Sequence, residues 1–267
     1  MMKNNPAIGE PVIYTSHQSR YRAGNQFIDK HVFGYIMSGS LVINDGRKAY
    51  TFRTGDLFFL QRNQLAKFDQ LPCDESVFAS VSIFLDQQIL RSIREEYNLA
   101  LEKRLPLYGV LALQGTPLLK NFMDTLLPSL QFPDQADPYL LNLKVKEAVF
   151  LLLVSKPELA DVLFDFSAPA KTDLKDFMLQ NYQFNVSLDR FAYLTGRSLD
   201  TFKRDFDYIF QVSPGRWIQH QRLKEAYYQI KERGRRSADV YQDVGFESIT
   251  HFSYSFKRLF GVSPSSL

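Results

Sequence analysis

Cysteine is almost missing from this chain. The single Cys73 among 267 residues excludes an intramolecular disulfide framework and fits a reducing compartment, where a structural thiol is the expected role. Long apolar runs are missing too. Val149 to Val154 is too short to cross a bilayer, and Met1 to Glu10 lacks the apolar centre of a signal peptide, so a soluble, cytoplasmic protein with no membrane partner is expected. Histidine is scarce: there are four, of which only His17 and His31 precede residue 168. Nor is there a strong excess of one charge. The net charge is +3, unevenly held, with 15 Lys or Arg against 11 Asp or Glu in residues 168–267. A surplus so small excludes nothing, although the basic end is where a polyanion would be sought. At 45% hydrophobic content the chain can bury one large or two modest cores, and two domains are expected.

What the chain does have is a repeat. Phe202, Phe206, Phe210, Val212, Ser213 and Pro214 recur fifty positions on as Phe252, Phe256, Phe260, Val262, Ser263 and Pro264. A Phe at every fourth position gives a helix one aromatic face, and Val-Ser-Pro ends it, because proline restricts the preceding residue. Upstream of each triplet, Ala192, Gly196 and Ser198 answer to Tyr241, Gly245 and Ser248. A short helix ending in Gly, followed by a Ser N-cap and a second helix, is the grammar of a helix-turn-helix. Two copies fall short of the three that a solenoid needs. The joining segment, Pro214 to Gly234, reads as a helix carrying Trp217, Ile218, Leu223, Ala226, Tyr227 and Ile230 near helical spacing.

These residues resemble the AraC/XylS family of transcription regulators over about the last hundred positions. The closing signature stands here as Val244-Gly245-Phe246, Phe252, Phe256-Lys257-Arg258, Phe260-Gly261 and Ser263-Pro264. The resemblance implies two helix-turn-helix units tied by a long helix, binding to double-stranded promoter DNA, contact with RNA polymerase and, usually, activation.

With the Phe faces inward, Asp200, Thr201, Lys203 and Arg204 of the first reading helix are expected outside, as base-readers. Lys or Arg donates to guanine, Thr touches a thymine methyl and Asp accepts from cytosine. A plainer role for Asp200 is to complement the helix dipole from the first turn. The second reading helix offers Ile249, Thr250, Ser253 and Tyr254, a less charged set. Many family members carry Arg where this chain has Tyr254 and Ala where it has Tyr241. Ser198, Ser248, His251, Lys257 and Arg258 are expected on backbone phosphate, since helix N-termini attract anions. Lys231, Arg233, Arg235 and Arg236 form the densest basic cluster, a further phosphate candidate or simply a solvated face.

The N-terminal half has another texture. From Val12 to about Leu85, short β-type runs (Tyr35–Met37, Leu41–Ile43, Ala49–Phe52, Leu57–Leu60, Val77–Phe84) are separated by turn signals, among them Asp45-Gly46, a hairpin pair. A sandwich or small barrel follows. Ile36-Met37-Ser38-Gly39-Ser40 with Thr54-Gly55-Asp56-Leu57 is similar to the cupin-type sensor domain that precedes many AraC-type domains. Cupin enzymes hold a metal through a close His pair, a Glu and a later His. His17 and His31 form no such pair and Lys67 stands near the place of the later one, so no metal and no cofactor is expected. His31, Tyr35 and Phe68 are candidate lining for an effector pocket. Leu118–Leu130 and Tyr139–Val154 read as two helices around Phe132-Pro133-Asp134. Leu119, Phe122, Met123, Leu126 and Leu127 mark one apolar face, and Leu140, Leu143, Ala148 and Leu151 another.

The expected fold is α+β: a cupin-like β-barrel or jelly-roll in residues 1–110, a helical hairpin and candidate dimerisation element in 111–167, and an all-α domain of two helix-turn-helix units in 168–267. The expected function is sequence-specific regulation of transcription, as a non-enzyme, controlled by a small molecule or a protein partner. Two alternatives stand beside it: a cupin-type metalloenzyme, and an interaction protein that no longer binds DNA.

Overall fold

The computed structural model describes residues 11–22, 26–73, 76–98, 109–131 and 137–267, which form two compact units, 1–167 and 168–267. The strands of the first unit are β1 (Val12–His17), β2 (Tyr21–Arg22), β3 (Phe27–Ile28), β4 (His31–Ser38), β5 (Ser40–Asn44) and β6 (Ala49–Arg53). After them come β7 (Leu57–Leu60), β8 (Gln64–Leu65), β9 (Lys67–Leu71), β10 (Phe78–Leu85) and β11 (Val110–Leu113). They pair antiparallel into a five-stranded sheet, β1-β10-β4-β7-β11, a four-stranded sheet, β2-β9-β5-β6, and the ladder β3-β8. The β5–β6 hairpin turns at Asp45, whose carboxylate accepts from the N–H groups of Arg47 and Lys48 at 2.9 and 2.7 Å.

The five-stranded sheet is covered on both faces, which explains why Leu57-Phe58-Phe59-Leu60 is buried without alternation. Val32, Ile36, Phe58 and Phe78 meet Leu41, Ile43 and Phe52 of the four-stranded sheet in one core. On the other face, Phe33, Phe59, Val81 and Ile83 meet helices α1 (Gln87–Glu96), α2 (Pro117–Gln131), α3 (Pro138–Ser155) and α4 (Leu159–Leu163). The described residues of 111–167 belong to the same compact unit as the sheet. They begin inside β11 and close the sheet's outer core.

Leu119, Phe122, Met123 and Leu126 of α2 are buried as their spacing predicts, while Leu127, expected on the same face, is half-buried. On α3 the buried face is Val145, Ala148, Val149 and Leu152, whereas Leu140 and Leu143 are exposed, with Leu151 half-buried between them. That helix is apolar nearly all round, so its periodicity left the inward face undetermined. The Phe132-Pro133-Asp134 turn lies outside the described residues.

The three residues proposed to line an effector pocket do not converge. Tyr35 packs on the helical side of the five-stranded sheet and Phe68 in the core between the sheets, because they fall on opposite faces of the sandwich. His31 is buried and stacks on Phe59 at 5.4 Å, its Nδ1 accepting from the Arg62 N–H at 3.2 Å. Burial, with the Arg62 guanidinium beside it, lowers its pKa to about 3, so it is neutral at physiological pH. Arg62 itself donates to the carbonyls of Asp165 (2.7 Å) and Ser167 (2.9 Å), tying down the last residues of this unit. Cys73 is exposed rather than structural, beyond the end of β9.

The second unit is all helical: α5 (Leu174–Asn181), α6 (Leu188–Leu194), α7 (Leu199–Phe210), α8 (Pro214–Lys231), α9 (Ser237–Asp243) and α10 (Ile249–Phe260), closed by a 3-10 turn at Pro264–Ser266. Both Phe triplets point inward, and α8 meets each with its own ring. Trp217 lies 5.6 Å from Phe206 and 4.6 Å from Phe210, and Tyr227 lies 6.2 Å from Phe256 and 4.7 Å from Phe260. Ten residues of helix separate these two anchors, about 15 Å along its axis.

Candidate nucleic-acid interface

Each helix-turn-helix is built by the same local chemistry. Gly196 (φ +65°) and Gly245 (φ +99°) make the left-handed turn residues after α6 and α9. Ser198 and Ser248 then cap α7 and α10, accepting from the N–H groups of Thr201 (3.3 Å) and His251 (3.4 Å). The cap hydroxyls are thus committed within the protein, while the remaining first-turn N–H groups keep their anion-binding potential.

On α7 the predicted outer set is where the Phe spacing puts it. Asp200, Lys203 and Arg204 are exposed, the Arg204 side chain at 78%, and Thr201 is half-buried beside the Ser198 hydroxyl at 3.0 Å. Tyr208, one turn beyond Arg204 and 82% exposed, belongs to the same face and was missed. On α10, Ile249, Thr250 and Tyr254 are exposed and Ser253 is half-buried. At fifty positions' offset, however, the counterpart of Thr201 is His251, exposed and 5.6 Å from the Phe246 ring, so His251 shares the outer face that Ile249, the counterpart of Leu199, only borders. Lys257 and Arg258 are exposed in the last turn of α10. Of the basic cluster after α8, Lys231 donates to the Tyr227 hydroxyl, Arg233 stacks on Tyr228, Arg235 binds Gln229 and Asp243, and Arg236 binds Asp239.

Several residues that hold this surface were not foreseen. Arg197, with its side chain 6% exposed, bonds Asp205 at 3.0 Å and the carbonyls of Thr172 and Thr195, and so pins the start of α7. Arg222 of α8 donates to three carbonyls at 2.7 Å, those of Tyr182, Phe184 and Gly245. Burial pulls its pKa down to about 10, partly offset by Glu247, and it stays charged at neutral pH. Gln219 donates to the buried Ser255 hydroxyl of α10 at 3.1 Å, and Asn185 to the Glu247 carboxylate at 2.6 Å. Asn185, Gln219, Arg222 and Glu247 line a groove of about 470 Å³ together with Gly245, Phe246, Ser248 and His251. One signal for Arg222 was available: it sits one turn from both Ile218 and Ala226, a charge set into an apolar stripe. No helix among the described residues is long and apolar enough to cross a membrane, and none of their His, Cys, Asp or Glu side chains gathers in a metal-sized group of three.

Comparison with known proteins assigns both halves. Residues 31–163 match the family model of the ExsA N-terminal regulatory domain, and residues 191–267 match a helix-turn-helix domain. The HTH-type transcriptional regulator ExsA of Pseudomonas aeruginosa is 27% identical over 236 residues, covering 86% of this chain and 83% of its own. The virulence regulon transcriptional activator VirF of Yersinia enterocolitica is 26% identical over 241 residues, covering 86% of each chain. Among solved structures, apo ToxT of Vibrio cholerae aligns over 99% of this chain and 97% of its own at 18% identity, with a TM-score of 0.48. With a regulatory domain and a helix-turn-helix domain matched in order along one polypeptide, the chain belongs to the AraC/XylS family of transcription regulators.

Proposed function

We propose that this protein activates transcription from promoters that it recognises by setting α7 and α10 into two major-groove segments about one turn (~34 Å) apart. The observation that carries the reading is the pair of capped, Phe-backed helices whose outer faces are free of the core. Asp200, Thr201, Lys203 and Arg204 read one half-element; Thr250, Ser253 and Tyr254, with Ile249 at the edge, read the other. Lys257, Arg258, His251 and the N-termini at Ser198 and Ser248 hold backbone phosphate and set register. The protein works in the cytoplasm, in contact with RNA polymerase, and the first unit gates it through a small molecule or a protein partner. The exposed Tyr139, Leu140, Leu143 and Val154 of α3 suit a second copy of the chain.

Selection of random and genomic DNA with the full-length protein at two salt concentrations tests this reading, beside a Lys203→Ala, Arg204→Ala double variant. An enriched bipartite site that the double variant loses supports it. If neither the whole protein nor residues 168–267 enriches any sequence, direct recognition of DNA is wrong.

A further inference from the structure

The rings that join α8 to the two helix-turn-helix motifs are poor rulers. Trp217 against Phe206 and Phe210, and Tyr227 against Phe256 and Phe260, are apolar contacts that tolerate sliding and rotation, since their energy depends weakly on direction. Hydrogen bonds depend strongly on it. Arg222 supplies three of them from one rigid planar group, and they run to different parts of the domain. Two carbonyls, Tyr182 and Phe184, follow α5 beside the first helix-turn-helix, and the third, Gly245, is the turn residue of the second. No displacement of one helix-turn-helix past the other keeps all three bonds straight, and a part-buried guanidinium that loses them is left without hydrogen-bond acceptors.

Gly245 completes the fit. A Cβ there would stand 2.6 Å from the Gln183 carbonyl oxygen and 2.8 Å from the Arg222 guanidinium, so the turn reaches the arginine only because it carries no side chain. Gln219 to Ser255 and Asn185 to Glu247 flank the same junction with directional bonds of their own.

We propose that Arg222 is a positioning residue that fixes the separation and rotation of the two reading helices, and thereby sets the single half-element spacing this regulator accepts. The inference rests on the DNA-reading function above and adds a ruler to it. A lysine in its place would keep the charge but could not present a planar fork to three acceptors.

The test uses full-length protein, the selected bipartite site, each half-element alone, and a ladder of sites with base pairs added one at a time between the half-elements. Wild-type protein should bind one spacing sharply. Arg222→Lys should lose about tenfold on that spacing, hold each half-element within about twofold, and show a flattened ladder profile. Should Arg222→Lys fail to fold in thermal unfolding, Asn185→Ala decides, because it removes a more exposed bond across the same junction: a smaller flattening is expected. Equal losses on half-elements and on the bipartite site, with the ladder profile unchanged, would reduce Arg222 to a stability residue and overturn the proposal. A bipartite site bound by neither the wild-type protein nor residues 168–267 would instead remove the DNA reading itself, and the ruler with it.

Discussion

Laid over each other at an offset of fifty residues, α7 and α10 agree on the inside and disagree on the outside. Phe202, Phe206 and Phe210 answer to Phe252, Phe256 and Phe260, and Ser198 to Ser248. Outward, Asp200, Thr201, Lys203, Arg204, Asp207 and Tyr208 face Thr250, His251, Ser253, Tyr254, Lys257 and Arg258. The Arg204–Tyr208 pair of the first helix returns in the second with its order reversed, as Tyr254–Arg258. The buried face answers to α8 and must repeat; the outer face, which in the proposed function answers to DNA, is free to diverge. In the proposed binding mode the N-terminal part of each reading helix meets base edges, so that α7 presents its cations to bases, while α10 presents an aromatic ring there and keeps its cations for the far end. On this reading the two half-elements differ in chemistry: one is hydrogen-bonded at guanine, the other touched at thymine methyls.

That contrast can be broken most directly at its two central residues. Arg204→Ala should cost about 1–3 kcal/mol of base discrimination, confined to one half-element. Tyr254→Ala should cost less and act only on the other. Competition binding against singly substituted sites measures both, and a larger loss at Tyr254 would invert the comparison. Tyr254→Arg, which makes the second helix resemble the first, should create a guanine preference in its half-element. An unchanged base preference in that half-element would mean that position 254 does not approach base edges.

At the far ends of the helices, Lys257→Ala and Arg258→Ala should each flatten the dependence of log affinity on log salt by about 0.9 while leaving sequence preference alone, as phosphate contacts do. Asp207→Ala, at the counterpart of Lys257, should not flatten it. The smallest difference is expected where the two helices are most alike. Ser198→Ala and Ser248→Ala each remove an N-cap and should lower stability by about 1 kcal/mol in denaturant unfolding. Clearly unequal losses would show that one hydroxyl does more than cap.

Much of this surface was legible because helical spacing and capping are local. Three rings at every fourth position leave one outward face, and Gly and Ser mark where each reading helix begins. What escaped depends on partners far along the chain. Arg222 gains its role from carbonyls 40, 38 and 23 residues away. The face that α3 buries was hidden by apolar residues on every side, and α5 was not anticipated at all. In the first unit the strand runs were readable, yet residue identity alone could not tell which side of the sandwich Tyr35 and Phe68 faced. A one-residue change of register exchanges the two sides.

Gly245 also constrains how this domain can vary by descent. Its backbone lies at a positive φ, a main-chain oxygen crowds the place of its missing side chain, and the Arg222 guanidinium crowds it from another direction. Only the last of these can be relieved by a second mutation. Arg222 can therefore change in a lineage while Gly245 stays, whereas losing Gly245 first leaves two obstacles that no change at Arg222 removes. Across descendants of this chain, position 222 should drift before position 245 ever does.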